Sequence, residues 1–297
     1  MDNLVRIQLN YIFKGPGSFR DLLFSIHFLN FKITIMKLTW IKLLHIGAIL
    51  ASIPKVNAQT DTLRIMSFNI LHGATVKNDF NLDTLAGVIN SYQPHLVALQ
   101  EVDFKTKRAK EYDLPTELGH RTKMASLFGR AMYYDGGEYG EGVLSKFTFV
   151  ETENFALPHL PTSEPRAALI TRVRTKKGNI IQFVATHLDH LEDNTDRVMQ
   201  AKALVEKLKD SPYPTILAGD LNAQPKDESI KLLLAEFTKP ETPNAYLPTW
   251  PSDNPRINID HILYNVPQKW KVTDYQVLCE NYATDHCVVM ATLVFTP

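Results

Sequence analysis

The apolar positions of this chain fall into short runs that suit strands, separated by a few stretches with helical spacing. Leu63–Ile70 (LRIMSFNI) is rich in β-branched and aromatic residues and predicts a strand, Leu82–Ser91 fits a helix, and His95–Glu101 (HLVALQE) predicts a short buried strand. Gly142–Val150, Arg166–Val173 and Ile180–His187 (IIQFVATH) are further strands. Thr195–Lys209 sets Val198, Ala201, Leu204, Val205 and Leu208 at helical spacing. Thr215–Gly219 then predicts a strand, Glu228–Ala235 a helix, and Asn258–Tyr264, Val272–Leu278 and Cys287–Phe295 strands. Many strands, few helices and no regular βαβ rhythm predict two packed sheets flanked by helices.

Composition divides the chain in two. Hydrophobic residues make up 44% of the sequence, enough for a substantial core, and the formal net charge is zero. Residues 1–59, however, hold seven of the 32 basic residues and only two of the 32 acidic ones, so the body beyond is net acidic by five charges. An acidic body does not suggest a protein that grips duplex DNA mainly by neutralising phosphates, although a local basic patch remains compatible with it. From Met36 the chain reads as a signal peptide. Lys37 and Lys42 form the basic start, Leu43 to Ile53 the apolar run, and Val56-Asn57-Ala58 the small-residue cleavage site. The apolar run is about half of the ~20 residues a membrane span needs; a membrane anchor or an internal helix is the alternative. Residues 1–35 carry no recognisable function and are set aside as an extension. Residues 60–297 show no linker or repeat and read as one domain, exported to the periplasm or the extracellular space. Cys279 and Cys287 lie outside any Cys-x-x-Cys pattern and are expected as two thiols packed in the core.

Polar residues of catalytic type gather where apolar strands end: Asn69, Glu101, His187 and Asp220. GDLNAQP places Asp220 and Asn222 on one side of the chain, where they could orient a water and hold a phosphoryl oxygen; the same letters suit an Asx turn closing a strand. THLDH sets His187 at the mouth of a buried strand. In ATDHCVV, His286 precedes another, with a charge state tunable near neutral pH. Asp260, inside the apolar IDHIL, is costly unless paired, and a hydrogen bond to His286 would satisfy it; an edge strand with Asp260 in solvent is the other reading. Oxygen ligands such as Glu101 suit Mg²⁺, which takes only one or two protein carboxylates.

Taken in order, SFNI, QE, THLDH, GDLNAQP, IDHIL and TDH make the sequence resemble the endonuclease/exonuclease/phosphatase superfamily over residues 62–297. The resemblance implies a four-layer α/β sandwich, two mixed sheets packed face to face and flanked by helices. It also implies a phosphoester hydrolase that depends on Mg²⁺ or Mn²⁺. Carried over by position, it makes Glu101, Asn69 and Asp285 the metal ligands and Asp220 the group that orients or deprotonates water. Asn222 would contact the phosphate, His286, held by Asp260, would polarise it, and His187 would lie near the leaving group.

Substrate is less sharply drawn. Arg166, at the start of an apolar strand, is placed to bind a phosphate bidentately or to remain a surface residue. Trp250, between two prolines, is placed to wall a pocket or to pack on the core. The Gly-rich GGEYGEGVLSK lacks the helix that a phosphate-cradling loop needs and reads as a turn into the 142–150 strand, with Tyr139 at the edge of the site. These features favour a phosphodiesterase or phosphatase acting on a small or lipid-borne phosphoester. A secreted endonuclease is the alternative, and a silent binding module on the same fold is disfavoured by the near-complete polar set. A monomer with no obligate protein partner is expected.

Overall fold

Strands that are apolar on both faces need cover on both sides, and the layering of this protein follows from that requirement. The computed structural model describes residues 59–297; the expected signal peptide and the extension before it lie outside the described residues. The strands are β1 (Asp61–Asn69), β2 (Leu96–Phe104), β3 (Ala125–Tyr134), β4 (Gly137–Ser145), β5 (Thr148–Ala156), β6 (Ala167–Arg174), β7 (Ile180–His187), β8 (Thr215–Asp220), β9 (Asp260–Tyr264), β10 (Trp270–Leu278) and β11 (Val288–Phe295). Four α-helices are described: α1 (Leu82–Tyr92), α2 (Leu114–Thr122), α3 (Thr195–Leu208) and α4 (Glu228–Leu233).

The strands form a six-stranded sheet, ordered β10-β11-β1-β2-β4-β3, and a five-stranded sheet, ordered β5-β6-β7-β8-β9. Each sheet has one parallel pair, β1–β2 and β7–β8, among antiparallel neighbours. Alternate residues sort into layers. Leu63, Ile65, Leu96 and Val143 of the first sheet share a core with Phe183, Ala185, Ile216 and Ile262 of the second. On the outer face of the first sheet, Met66, Phe68, Val97 and Leu99 pack with Leu85 and Ile89 of α1 and Leu118 of α2. On the outer face of the second, Val184, Leu217 and Leu263 pack with Leu204 of α3 and Ile230 of α4. Each fully buried large side chain contributes about 1.5–3 kcal/mol. The result is the expected helix–sheet–sheet–helix sandwich.

Three expectations change. The predicted strand 142–150 is two strands in different sheets: β4 ends at Ser145 and β5 begins at Thr148. The Ser145 hydroxyl, which bonds both the N–H and the carbonyl of Phe147 at 2.9 Å, turns the chain between sheets inside one continuous apolar run. The Gly-rich GEYGEG is the first half of β4 rather than a turn. Glycine is needed there because a Cβ on Gly140 would lie 2.0 Å from the Gly129 carbonyl oxygen on β3. Finally, Cys279 and Cys287 form a disulfide instead of staying as thiols. Antiparallel pairing sets Leu278 opposite Val288, so the next residue outward on each strand is a cysteine facing the other.

Candidate active site

The carboxyl ends of β1, β2, β7 and β8 meet at one edge of the sandwich, and the parallel pairings fix the levels of their polar residues. Asn69 lies opposite Gln100, and His187 opposite Asp220. Antiparallel β9 then sets Asp260 opposite Asp220. At Glu101 the strand breaks regularity: φ is +55°, and the β2–β4 register shifts between Leu99 and Val102. This bulge re-aims the Glu101 side chain. Asn222, φ +46°, makes the left-handed turn after Asp220, a conformation that Asn tolerates well.

These groups form one network. Asn69 Nδ2 donates to Glu101 Oε1 (3.1 Å) and to Asp220 Oδ2 (3.3 Å), while its own oxygen accepts from the Leu71 N–H. Asn69 therefore clamps the two carboxylates; serving as an oxygen ligand would require its amide to rotate. Asp220 Oδ2 lies 3.3 Å from His187 Nε2 and 3.6 Å from His286 Nε2. His286 Nδ1 lies 3.0 Å from Asp260 Oδ2, so the paired reading of Asp260 holds over the solvated one. Asn222 Nδ2 is 3.0 Å from His187 Nε2, and its backbone N–H donates to Asp220 Oδ1 (3.0 Å). Arg166, 3% exposed, donates to His187 Nδ1 (3.1 Å) and His190 Nδ1 (3.2 Å). Trp250, 38% exposed, donates from Nε1 to Asp285 Oδ2 (3.3 Å).

Burial and neighbouring charge divide the titrating groups. Burial opposes the charge of Glu101, but the adjacent His72 imidazole, the Asn69 amide and the charge on His286 outweigh it and hold the carboxyl at about 2. Burial pushes Asp220 above the usual carboxylate range even though His286 pulls the other way. For His286, burial is outweighed by the carboxylates of Asp260 and Asp220, raising it to about 10. His187 is driven well down by burial and by the Arg166 guanidinium, so it stays neutral. The site thus holds an ionised Glu101, a proton-hungry Asp220, a cationic His286 and a neutral His187 side by side.

A cleft of about 870 Å³ covers this network, lined by Glu101, Arg166, His187, Asp220, Asn222, Trp250, Asp285 and His286. Asn69 and Asp260 are buried beneath it at 0% and 1% exposure. The donor set fits a divalent ion. Asp285 Oδ1 is buried with no hydrogen-bond partner among the described residues, and the ionised Glu101 opens on the same cleft. Asp220, Asp260 and His286 also bring ligand atoms within 4.8 Å of one another, although hydrogen bonds already engage that trio.

Several residues in the cleft or buried near it escaped the sequence reading; His72 and Arg108 line the cleft. His72 Nδ1 lies 3.6 Å from Glu101 Oε2. Arg108 is held by Asp103 (2.7 and 2.8 Å) beneath the ring of Tyr134. Glu141 is wholly buried, with both oxygens unpaired among the described residues, and burial raises its pKa well above normal. The signal for Glu141 was present, an acidic residue between two glycines of GEYGEG, but reading that run as a turn hid it. Asp189, which alternates with His187 in sequence, instead caps the Leu191 N–H.

The fold recurs in solved structures. An endonuclease/exonuclease/phosphatase from Beutenbergia cavernae superposes with a TM-score of 0.69 at 22% identity, over 79% of this chain and 72% of that one. A mannosyl-6-phosphatase from Bacteroides thetaiotaomicron gives 0.64 at 20% identity, over 78% and 100%. The human Nocturnin catalytic domain, with a bound sulfate anion, gives 0.63 at 20% identity, over 80% and 98%. Residues 66–286 match the model of the Endonuclease/Exonuclease/phosphatase family, and the chain belongs to that family.

Proposed function

We propose that this protein is an exported hydrolase of a small or lipid-borne phosphoester that acts with Mg²⁺ or Mn²⁺. The observation that carries the reading is the convergence of His187, Asn222, His286 and Asn69 on the single buried carboxylate Asp220. Burial leaves Asp220 ready to take a proton, so it serves as the base that draws one from an attacking water. The cationic His286, kept charged by Asp260, faces the phosphoryl oxygens and offsets the charge that builds on them. Asn222 donates to a phosphoryl oxygen, and His187, fixed by Arg166, stands at the leaving-group side. Glu101 and Asp285, with Asn69 after amide rotation, would hold the ion. A bound divalent ion supplies Lewis-acid charge neutralisation at the phosphate.

Three features of the cleft support a small substrate. Its arginines are already engaged: Arg108 by Asp103, Arg166 by two histidines, and Arg197 by the carbonyls of Asp189 and Leu191. Among the described residues no lysine lines it, whereas Glu164 and Glu192 do. Trp250 and Tyr134 offer flat rims. Carboxylates and aromatic faces suit a hydroxyl-rich molecule better than a polyanion; the similarity to a mannosyl-6-phosphatase points the same way.

The test is a substrate panel with purified residues 60–297, with and without chelator. It would include p-nitrophenyl phosphate, bis(p-nitrophenyl) phosphate, hexose phosphates, sphingomyelin and plasmid DNA. Turnover of small or lipid esters that EDTA abolishes, and that Asp220→Ala and His286→Ala lose while remaining folded, is expected. Rapid plasmid nicking without turnover of the small or lipid esters would overturn the substrate class. Full activity in both variants would sink the site.

A further inference from the structure

A second buried polar cluster lies under the site and takes no part in the chemistry above. After α4 the chain pairs with the end of β9, Thr238 N–H to the Tyr264 carbonyl at 2.7 Å and Tyr264 N–H to the Thr238 carbonyl at 3.0 Å. That pairing sinks Lys239 to 6% exposure. Its ammonium donates to Asn258 Oδ1 (2.9 Å) and His261 Nδ1 (2.7 Å) and lies 5.1 Å from the centre of the Tyr246 ring. Among the described residues no carboxylate pairs with it, and burial brings its pKa down to about 7. A buried cation with only neutral acceptors costs stability that an apolar side chain of the same length would not.

The geometry shows what the lysine holds. His261 follows Asp260 on β9, so the two side chains leave opposite faces of the sheet: Asp260 towards His286, His261 towards the helical layer. On that side His261 Nε2 lies 2.8 Å from the Ala223 carbonyl oxygen. Ala223 directly follows Asn222 and ends the turn that presents Asp220 and Asn222 to the cleft. The Ala223 carbonyl only accepts, so the neutral ring carries its proton on Nε2, the atom that faces it. The bare Nδ1 accepts from Lys239, whose N–H bond reinforces that tautomer. Lys239 also holds Asn258, whose amide donates to the Leu247 carbonyl (2.5 Å), on the segment leading into Trp250.

We infer that Lys239 is a positioning residue for phosphoester hydrolysis: by reinforcing the tautomer of His261 it anchors the Ala223 carbonyl, and with it the Asp220–Asn222 turn. This rests on the function proposed above for that turn. Outer groups that orient a metal-site or catalytic residue typically govern activity by 10–100-fold.

The experiment compares Lys239→Met, His261→Gln and His261→Phe with the wild-type chain on bis(p-nitrophenyl) phosphate and p-nitrophenyl phosphate with Mg²⁺. It also records ¹⁵N resonances of the histidine rings in metal-free protein. Lys239→Met should lower kcat roughly tenfold or more while KM stays within about twofold, and should move the His261 ring from a pure Nε2–H form to a mixture. His261→Gln, whose amide both accepts from Lys239 and donates to Ala223, should keep most of the turnover that His261→Phe loses. Wild-type kcat in Lys239→Met, an unchanged His261 tautomer, or equal losses in the Gln and Phe variants would overturn the inference. If Lys239→Met does not fold, the Gln–Phe comparison decides alone. A wild-type chain that hydrolyses neither ester would defeat the proposed function instead, while the tautomer readout still decides the role of Lys239.

Discussion

The buried imidazole of His286 lies with Nδ1 3.0 Å from Oδ2 of Asp260. Burial alone would strip the ring of its proton; Asp260, followed by Asp220, keeps it charged. Asp260→Asn preserves shape and a hydrogen bond but removes the nearer anion. Turnover at neutral pH should fall by roughly 10² or more, the range of general acid–base and charge-stabilising groups. Steady-state kinetics will check this, and a variant within a few-fold of wild type would refute the pairing as functional.

The same pair sets a pH dependence. The folded value for His286, about 10, stands above the unfolded value of roughly 6.5. Its contribution to stability is therefore fully present below about pH 6.5 and is lost as pH rises through about 10. Urea denaturation of metal-free wild type and His286→Gln should show a stability gap that narrows from pH 6 to 10.5. A gap that widens over that range contradicts the assignment.

Gly219 carries the β7–β8 contact that brings His187 level with Asp220. A Cβ there would lie 1.9 Å from the Thr186 carbonyl oxygen, which is backbone and cannot step aside cheaply. Gly219→Ala should cost about 1–3 kcal/mol or more of stability, as overpacking does. It should also lower kcat, because the strands that part are those bearing the two side chains. Denaturant midpoints and kcat measured together will show whether both fall.

The Cys279–Cys287 disulfide closes the loop that carries Asp285 and His286. Cross-linking a loop this short is worth roughly 2–3 kcal/mol through the unfolded chain. The double Cys→Ser variant should lose about that much stability and part of its turnover. Other ties limit the second effect: Thr284 donates to the Asn69 carbonyl and the Ser252 N–H to the Asp285 carbonyl. A variant with wild-type denaturation would show that the bond is absent or idle in solution.

Much of this was legible because strands buried on both faces read as short continuous apolar runs. The apolar runs of β1, β2, β7 and β8 each end in a polar residue, and those endings are the site. What failed to show has physical causes. β3 is a partly exposed edge strand and α2 a nine-residue helix opened by a proline, so neither carries a strong period. The change of sheet at Ser145 lies inside an unbroken apolar run, where periodicity is blind to hydrogen bonds. Lys239 carries no sequence signal of its own, and His261 stands only as one residue of the 258–264 strand; the short Thr238–Tyr264 pairing brings them together. The disulfide depended on register, which separate strands do not disclose.

Asn69 ends β1 in one sheet and Asp220 ends β8 in the other, and the hydrogen bond between them crosses the sandwich. Neither sheet owns a complete set of reacting groups. A chain that has built one sheet, or has docked the two out of step by a residue, is inert rather than misdirected. During refolding, turnover will return with the last docking event and not with the first secondary structure, so catalysis itself reports when the two halves of the sandwich have met.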